Sequence, residues 1–310
     1  MENTVIVIFG PTGVGKTKTA VQLAKELNGE VISCDSMQVF SKMDKGTAKV
    51  TKEEMQGVPH YLLDVAQPWE EFSVGKYVEL ATEKIDEIFK KGKQPIIAGG
   101  TGLYINALIN QYDFGNAKKD EKIREKYQKI LEKYGNNYLF NILKEKNSEI
   151  AEKIHPNDTK KIIRALEKIE NKNIEKKEIK NNYKYIIFGL NLPREQIYDN
   201  INRRAEKMFD EGLEKEVDSL LALGLTLNNQ SMQGIGYKEI IQGREQNLSR
   251  DEIIELVQRK TRNYAKRQLT FMRGIPGLIW VDAKNATNEI LEELNGKQNW
   301  SLREETWKHF

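Results

Sequence analysis

Residues 9 to 19 read Phe-Gly-Pro-Thr-Gly-Val-Gly-Lys-Thr-Lys-Thr, and Gly10 to Thr17 fit the spacing G-x-x-x-x-G-K-[ST]. Glycines so spaced let a backbone close around a phosphate chain, with N–H groups aimed at its oxygens. In the loop Gly10, Pro11, Thr12, Gly13, Val14, Gly15, Lys16 and Thr17, Lys16 neutralises the outer phosphate and Thr17 holds Mg²⁺. A helix starting near Lys16 adds the positive end of its dipole. The loop alone does not say which phosphorylated molecule it holds, or which bond breaks.

Two more segments carry chemistry. Asp35-Ser36 follows the short strand-like run Glu30 to Cys34, and Gly99-Gly100-Thr101-Gly102 follows Pro95 to Ala98. If these runs are parallel strands, both segments share the sheet edge of the glycine loop, where open α/β sheets bind ligands. Asp35 there can ligate Mg²⁺ or take a proton from a nucleophile, or serve as a turn or capping aspartate. Thr101 can position a substrate or cap a helix. A strand ending in an Mg²⁺-binding aspartate is harder to find. Tyr61-Leu62-Leu63-Asp64 is a short substitute, or Asp64 belongs to a turn. Plain ATP hydrolysis is therefore not the natural reading.

The elements that position these residues follow from periodicity. Val5 to Phe9 reads as a buried strand. Ala20, Leu23, Ala24 and Leu27 have the spacing of one helix face, and Asn28-Gly29 ends that helix. Ser73 suits the N-cap of a helix running to Lys91 that buries Tyr77, Ala81, Ile85 and Ile88, with Gly92 just beyond. Strand-helix alternation of this kind predicts a parallel sheet flanked by helices. Residues 116–182 read as helices rich in Lys, Glu and Asn, with a mobile turn over 171–182. Strand composition returns at 183–192 and at 277–283, with helical stretches at 194–222 and 250–272. The expected layout is an α/β core of P-loop type, 1–115 and 183–310, interrupted by an all-helical insertion, 116–182.

Composition narrows the class. The chain has 310 residues, 39% hydrophobic and 31% charged, and no apolar run that approaches the roughly 20 residues of a membrane span. No secretory leader is readable, and the single cysteine, Cys34, forms no internal disulfide; a reducing cytoplasmic setting and a monomer are the default expectations. Net charge is only +3, yet residues 115–185 hold 19 Lys and Arg against 12 Asp and Glu, a local +7 that leaves −4 for the rest. An anionic partner for the insertion, or a solvated lysine-rich surface, accounts for this equally well.

Longer runs carry a family resemblance. "GPTGVGKT", "SCDSMQVFSKMDKGTAKVT", "GVPHYLLDV", "IIAGGTGLYINAL", "IHPNDTKKIIRALE", "SMQGIGYKE" and "TRNYAKRQLTFMR" together resemble the tRNA dimethylallyltransferase (MiaA) family, in order and over nearly the whole chain. Phe40 stands where a tyrosine is more usual. The resemblance implies transfer of a dimethylallyl group from its diphosphate to N6 of adenosine 37 of tRNA. The loop then holds diphosphate as a leaving group, and the bond that breaks is C–O. It also implies that Asp35 accepts the amine proton, that Thr101 positions the base, and that Arg267 touches the diphosphate. Contacts to the tRNA anticodon stem-loop are implied for Asp35, Ser36, Met37, Gln38, Thr101, Arg124, Lys160, Lys161, Arg164, Gln233, Gly234, Gly236 and Lys238. The alternatives are a P-loop kinase of a small molecule or nucleotide, and a non-catalytic tRNA-binding module.

Overall fold

The computed structural model describes residues 3–110, 120–171 and 183–296. The chain divides into two compact units, Met1–Asn110 with Asn181–Phe310, and Gln111–Lys180. All but the first residue of the turn expected over 171–182 lies outside the described residues.

The first unit is built on six strands, β1 (Thr4–Phe9), β2 (Gly29–Cys34), β3 (His60–Tyr61), β4 (Gln94–Gly99), β5 (Lys184–Asn191) and β6 (Ile279–Asp282). They form one sheet in the order β3-β2-β4-β1-β5-β6, and every pairing is parallel. Every residue of β1 and β2 is buried, because a parallel sheet is covered on both faces; that is why Val5 to Phe9 reads as an unbroken apolar run, while the buried Glu30 of β2 is paired with Lys91 and Lys93. From β1 the chain runs outward to β2 and β3. It then returns to β4 beside β1 and leaves on the other side for β5. Such a reversal of winding opens a crevice beyond the carboxyl ends of the strands.

Helices cover both faces. On one, Ala20, Leu23 and Ala24 of α1 (Lys16–Glu26) pack with Ile6, Ile8, Ile96 and Phe188 and with Ile290 of the helix Ala286–Gly296. Each such buried aliphatic side chain contributes roughly 1.5–3 kcal/mol. The alternate strand residues Val5, Val7 and Phe9 face the other way. α2 (Lys52–Met55) is a single turn capped reciprocally by Thr51 and Glu54. In α3 (Val74–Lys90), Tyr77, Ala81, Ile85 and Ile88 are buried, the Ser73 hydroxyl accepts the Lys76 N–H, and Gly92 follows at φ 69°. Tyr77 stacks on Tyr104 of α4 (Gly102–Ile109) with ring centroids 4.3 Å apart.

The helical unit contains α5 (Glu121–Lys146), α6 (Ser148–Glu152) and α7 (Thr159–Glu170). Gly135, at φ 79° and ψ 177°, breaks α5 in two. Tyr127, Leu139, Leu143, Ala151, Ile162 and Leu166 form this unit's own core. Back in the first unit, the stretch read as one helix over 194–222 is two, α8 (Arg194–Asp210) and α9 (Leu213–Ala222), parted at Gly212 with φ 97°. α10 (Tyr237–Glu245) and α11 (Arg250–Arg273) follow.

Candidate active site

The register of the sheet brings the strand ends together. Phe9 of β1 and Cys34 of β2 both pair with Gly99 of β4, so the glycine loop, Asp35 and Gly100-Thr101 leave adjacent strands side by side. Gly13 and Gly15 hold φ of 80° and 98°, which other residues rarely adopt. Gly10 is a glycine for space, since a Cβ there would meet Val14 Cγ1 at 2.8 Å. Gly15 caps α1 without a side-chain hydrogen bond. The first-turn N–H groups are thus presented to an anion.

Lys16 lies over this loop and donates to the Pro11 carbonyl at 2.9 Å. Burial, helped by repulsion from Arg204, pushes its ammonium down to about 8, while the nearby Asp35 charge pulls the other way. Arg204, on α8, donates to the Thr47 carbonyl at 3.3 Å. Burial lowers its pKa, and Asp35 again opposes.

Asp35 is fixed by its own turn. Its Oδ1 accepts the N–H groups of Met37 at 2.8 Å and Gln38 at 3.3 Å. Thr101 is tied to the same turn: its Oγ1 accepts the Ser36 N–H at 3.0 Å and its N–H donates to the Cys34 carbonyl at 3.2 Å. Tyr264 of α11 adjoins the Thr101 hydroxyl, and burial, with the Asp35 charge, pushes the phenol up to about 12. It is a neutral hydroxyl at any physiological pH.

Three side chains outside the sequence motifs brace the site. Gln268 of α11 accepts the Thr12 N–H at 2.9 Å and donates to the Gly100 carbonyl at 2.8 Å. Asn200 of α8 donates to the Gly13 carbonyl at 3.0 Å. Glu216 of α9 accepts the N–H groups of Asp44, Lys45 and Gly46 at 2.8 to 3.1 Å and the Tyr237 hydroxyl at 2.5 Å, anchoring the segment after Gln38. A polar residue on the buried stripe of Ala265, Gln268 and Met272 is the signal that points to Gln268. Asn200 and Glu216 carry none.

Several expected residues are placed differently from a simple ligand contact. The N–H of Thr12 is committed to Gln268, which leaves the cradle to the rest of the loop. Arg267 is exposed on α11 and lies over the Tyr264 ring, 5.7 Å from its centroid. Gln38 is held internally by the Ser33 hydroxyl at 3.1 Å and the Thr47 carbonyl at 3.2 Å, so it braces the turn. Phe40 is fully buried. Asp64 follows β3 at φ 56° and pairs with Lys49 at 2.5 Å, the arrangement of a turn residue.

The candidate RNA contacts form two groups. In the first unit, a Cβ on Gly234 would sit 3.0 Å from Met37 Cε, so the 35–38 turn meets the stretch from Gln233. Gly236 has φ 102°, and Lys238 Nζ donates to Gln233 Oε1 at 3.2 Å. In the helical unit, Arg124 and Arg164 both bind the fully buried carboxylate of Glu167, at 2.9 and 2.7 Å. Lys161 pairs with Asp158 at 2.8 Å, and Lys160 is exposed.

Among the described residues, no three His, Cys, Asp or Glu side chains form a metal site. Thr17 presents an exposed hydroxyl next to Lys16 at the start of α1. One hydroxyl beside a phosphate cradle fits a hard cation that takes most of its ligands from phosphate oxygens and water, as Mg²⁺ does. No helix among the described residues is long and apolar enough to cross a membrane.

Known proteins share this architecture. The IPP transferase family model matches residues 38–275. The tRNA dimethylallyltransferase of Acetivibrio thermocellus is 45% identical, covering 95% of this chain and 96% of that protein. The one from Thermoanaerobacter sp. (strain X514) is 44% identical, over 96% and 99%. The crystal structure of the full-length tRNA isopentenylpyrophosphate transferase of Bacillus halodurans superposes with a TM-score of 0.72 at 42% identity, over 96% and 97%. A eukaryotic dimethylallyltransferase described as acting on tRNA gives 0.76 at 29% identity, over 96% of this chain and 78% of that one. With a family match over well more than half its length and relatives this similar from end to end, the chain belongs to the IPP transferase family.

Proposed function

We propose that this chain is a tRNA dimethylallyltransferase that moves the dimethylallyl group of dimethylallyl diphosphate to N6 of adenosine 37 in the anticodon loop. The observation that carries the reading is one shared sheet edge. There the anion cradle of Gly13 to Lys16 and the segments carrying Asp35 and Thr101 leave β1, β2 and β4 side by side, where Phe9 and Cys34 both pair with Gly99.

The chemistry follows from that pairing. The N–H groups at the start of α1 and the Lys16 ammonium hold the diphosphate. As the allylic C–O bond weakens, negative charge grows on the leaving oxygen, where these fixed dipoles and cations already point. Thr17 would hold Mg²⁺, which would offset part of the diphosphate charge. The incoming nucleophile is an exocyclic amine whose lone pair is delocalised into the purine. Once it bonds to carbon it becomes a strongly acidic ammonium, so a carboxylate suffices as base. Asp35 has Oδ1 engaged by its own turn, and its second oxygen takes that proton. Thr101 and the neutral Tyr264 phenol orient the base.

A stacked loop base reaches such a crevice only when it is turned out of the stack. The 35–38 turn, the 233–238 stretch and the basic helical unit supply contacts of the kind RNA loops use, to phosphates and to unstacked bases. A kinase reading is not favoured: β4 runs into Gly99-Gly100-Thr101 without a carboxylate, and the relatives bear prenyl-transfer names.

The test is mass spectrometry of nucleosides from an unmodified tRNA with adenines at positions 36 and 37. The tRNA is incubated with the protein, Mg²⁺ and dimethylallyl diphosphate, with ATP in a parallel tube. A dimethylallyl increment on adenosine in the first tube supports the reading. No increment, with ATP consumed in the second, returns the loop to a kinase.

A further inference from the structure

Gln268 is a large polar side chain only 6% exposed, on the buried stripe of α11 between Ala265 and Met272. Burying an amide costs free energy unless both of its ends are bonded, and both are. Oε1 accepts the Thr12 N–H at 2.9 Å, and Nε2 donates to the Gly100 carbonyl at 2.8 Å. These arms reach two segments with different tasks, the diphosphate loop and the acceptor-side strand end before Thr101. Gly100 accommodates the amide by having no side chain: a Cβ there would lie 2.3 Å from Nε2 and 3.3 Å from the Gly10 carbonyl. One turn earlier on the same helix, Tyr264 adjoins Thr101.

We propose that Gln268 is a positioning residue that sets the separation between the diphosphate loop and the Gly100–Thr101 segment, and so between the prenyl donor and the acceptor amine. The inference rests on the prenyl-transfer reading. Reacting atoms must meet at about 3–3.5 Å, and a shift of about 1 Å costs up to 10²-fold in rate. Both ends of the Gln268 amide are taken up by backbone groups of the protein, Thr12 N–H and Gly100 carbonyl. An error in its length leaves each substrate bound and spoils only their register.

The allylic donor reports such an error directly. In productive turnover the C1–O bond breaks with its electron pair going to diphosphate, C1 bonds to N6, and the amine proton goes to Asp35. If the amine stands too far away, water bonds to C1 instead, its proton goes to solvent, and dimethylallyl alcohol forms with diphosphate. Loss of register thus appears as a higher ratio of alcohol to prenylated tRNA.

Three variants test this. Gln268→Met keeps the shape and removes both bonds. Gln268→Glu keeps the acceptor for Thr12 and loses the donor to Gly100. Gly100→Ala pushes on the amide from the other side. Each is assayed for prenylated tRNA, for dimethylallyl alcohol, for KM toward tRNA, and for donor affinity. The expected result for Gln268→Met is a kcat for transfer at least about tenfold lower with both affinities within about threefold, and a raised alcohol ratio. Gln268→Glu is expected to fall between it and the parent. If Gln268→Met does not fold, the other two variants carry the same test. An unchanged alcohol ratio overturns the inference, whether kcat is normal or falls together with both affinities and thermal stability. Failure of the unaltered protein to prenylate tRNA at all overturns the underlying reading instead.

Discussion

Lys16 is the group whose titration most directly reports the donor cradle. Burial and Arg204 hold its ammonium near 8, against the opposing pull of Asp35, where an ordinary lysine sits near 10.4. A bound diphosphate favours the charged form. If it restores only the ordinary value, the free and bound proteins differ by more than two units. The sign follows from linkage: the bound state holds the proton more tightly, so binding takes up protons and weakens as pH rises above the free value. From pH 7 to 9, donor affinity should fall about tenfold, with about 0.1 proton taken up on binding at pH 7 and about 0.9 at pH 9. The phosphates of a prenyl diphosphate are already ionised in this range. Calorimetry with a slowly reacting thiolo analogue, in two buffers of different ionisation heat at each pH, measures both quantities. Lys16→Arg, which stays charged throughout, should abolish the slope. Arg204→Gln should move it to higher pH, and Asp35→Asn to lower pH. A pH-independent affinity, or proton release on binding, refutes the placement of Lys16 on the diphosphate.

Asp35→Ala should leave donor and tRNA bound, the donor with the same pH shift as Asp35→Asn, and lower the single-turnover rate by about 10²- to 10⁴-fold; a near-normal rate in rapid quench removes Asp35 as the base. Charge removal at Lys160 and Lys161 should weaken tRNA binding and lessen the log–log salt slope by about one to two, and an unchanged slope in a salt titration takes these lysines off the RNA. In the helical unit, burial alone would raise the Glu167 pKa. The bonds from Arg164, the Asp120 N–H and Arg124 outweigh it and hold this carboxyl below its usual range. A depressed folded-state pKa gives stability that is present above the unfolded value, near 4.3, and is lost as pH falls through the folded one. Glu167→Gln should therefore cost about 2 kcal/mol at neutral pH, a figure discounted because both arginines are about one-third exposed. The loss should shrink on acidification, as chemical denaturation followed at pH 7 and pH 3 will show.

Legibility in the sequence tracked the length and locality of each signal. β1, the glycine loop and α1 were readable because one strand, one motif and one helical period adjoin. α3 was readable because Ser73, its buried stripe and Gly92 mark both ends and one face. β3, with two residues, and α2, with one turn, are too short for any period to register. The break between α8 and α9 lies at Gly212, a glycine inside an otherwise continuous helical pattern. In the site, the residues on strand ends followed from the parallel-sheet rule alone. The braces did not. Gln268 meets Thr12 across 256 residues and Asn200 meets Gly13 across 187, and only the packing of α8 and α11 brings them there. Arg124 and Arg164 look like separate surface cations in the sequence, and the fold gathers both on Glu167.

The central claim is that the loop holds a leaving group and that the breaking bond is C–O. Dimethylallyl diphosphate carrying ¹⁸O at the bridging position tests it in one experiment. After incubation with the protein, Mg²⁺ and unmodified tRNA, the released diphosphate and the tRNA nucleosides are weighed together. The account predicts that all of the label leaves with diphosphate while adenosine gains the dimethylallyl mass. Diphosphate or phosphate released without the label, or adenosine unchanged while the donor is consumed in step with tRNA, would contradict it.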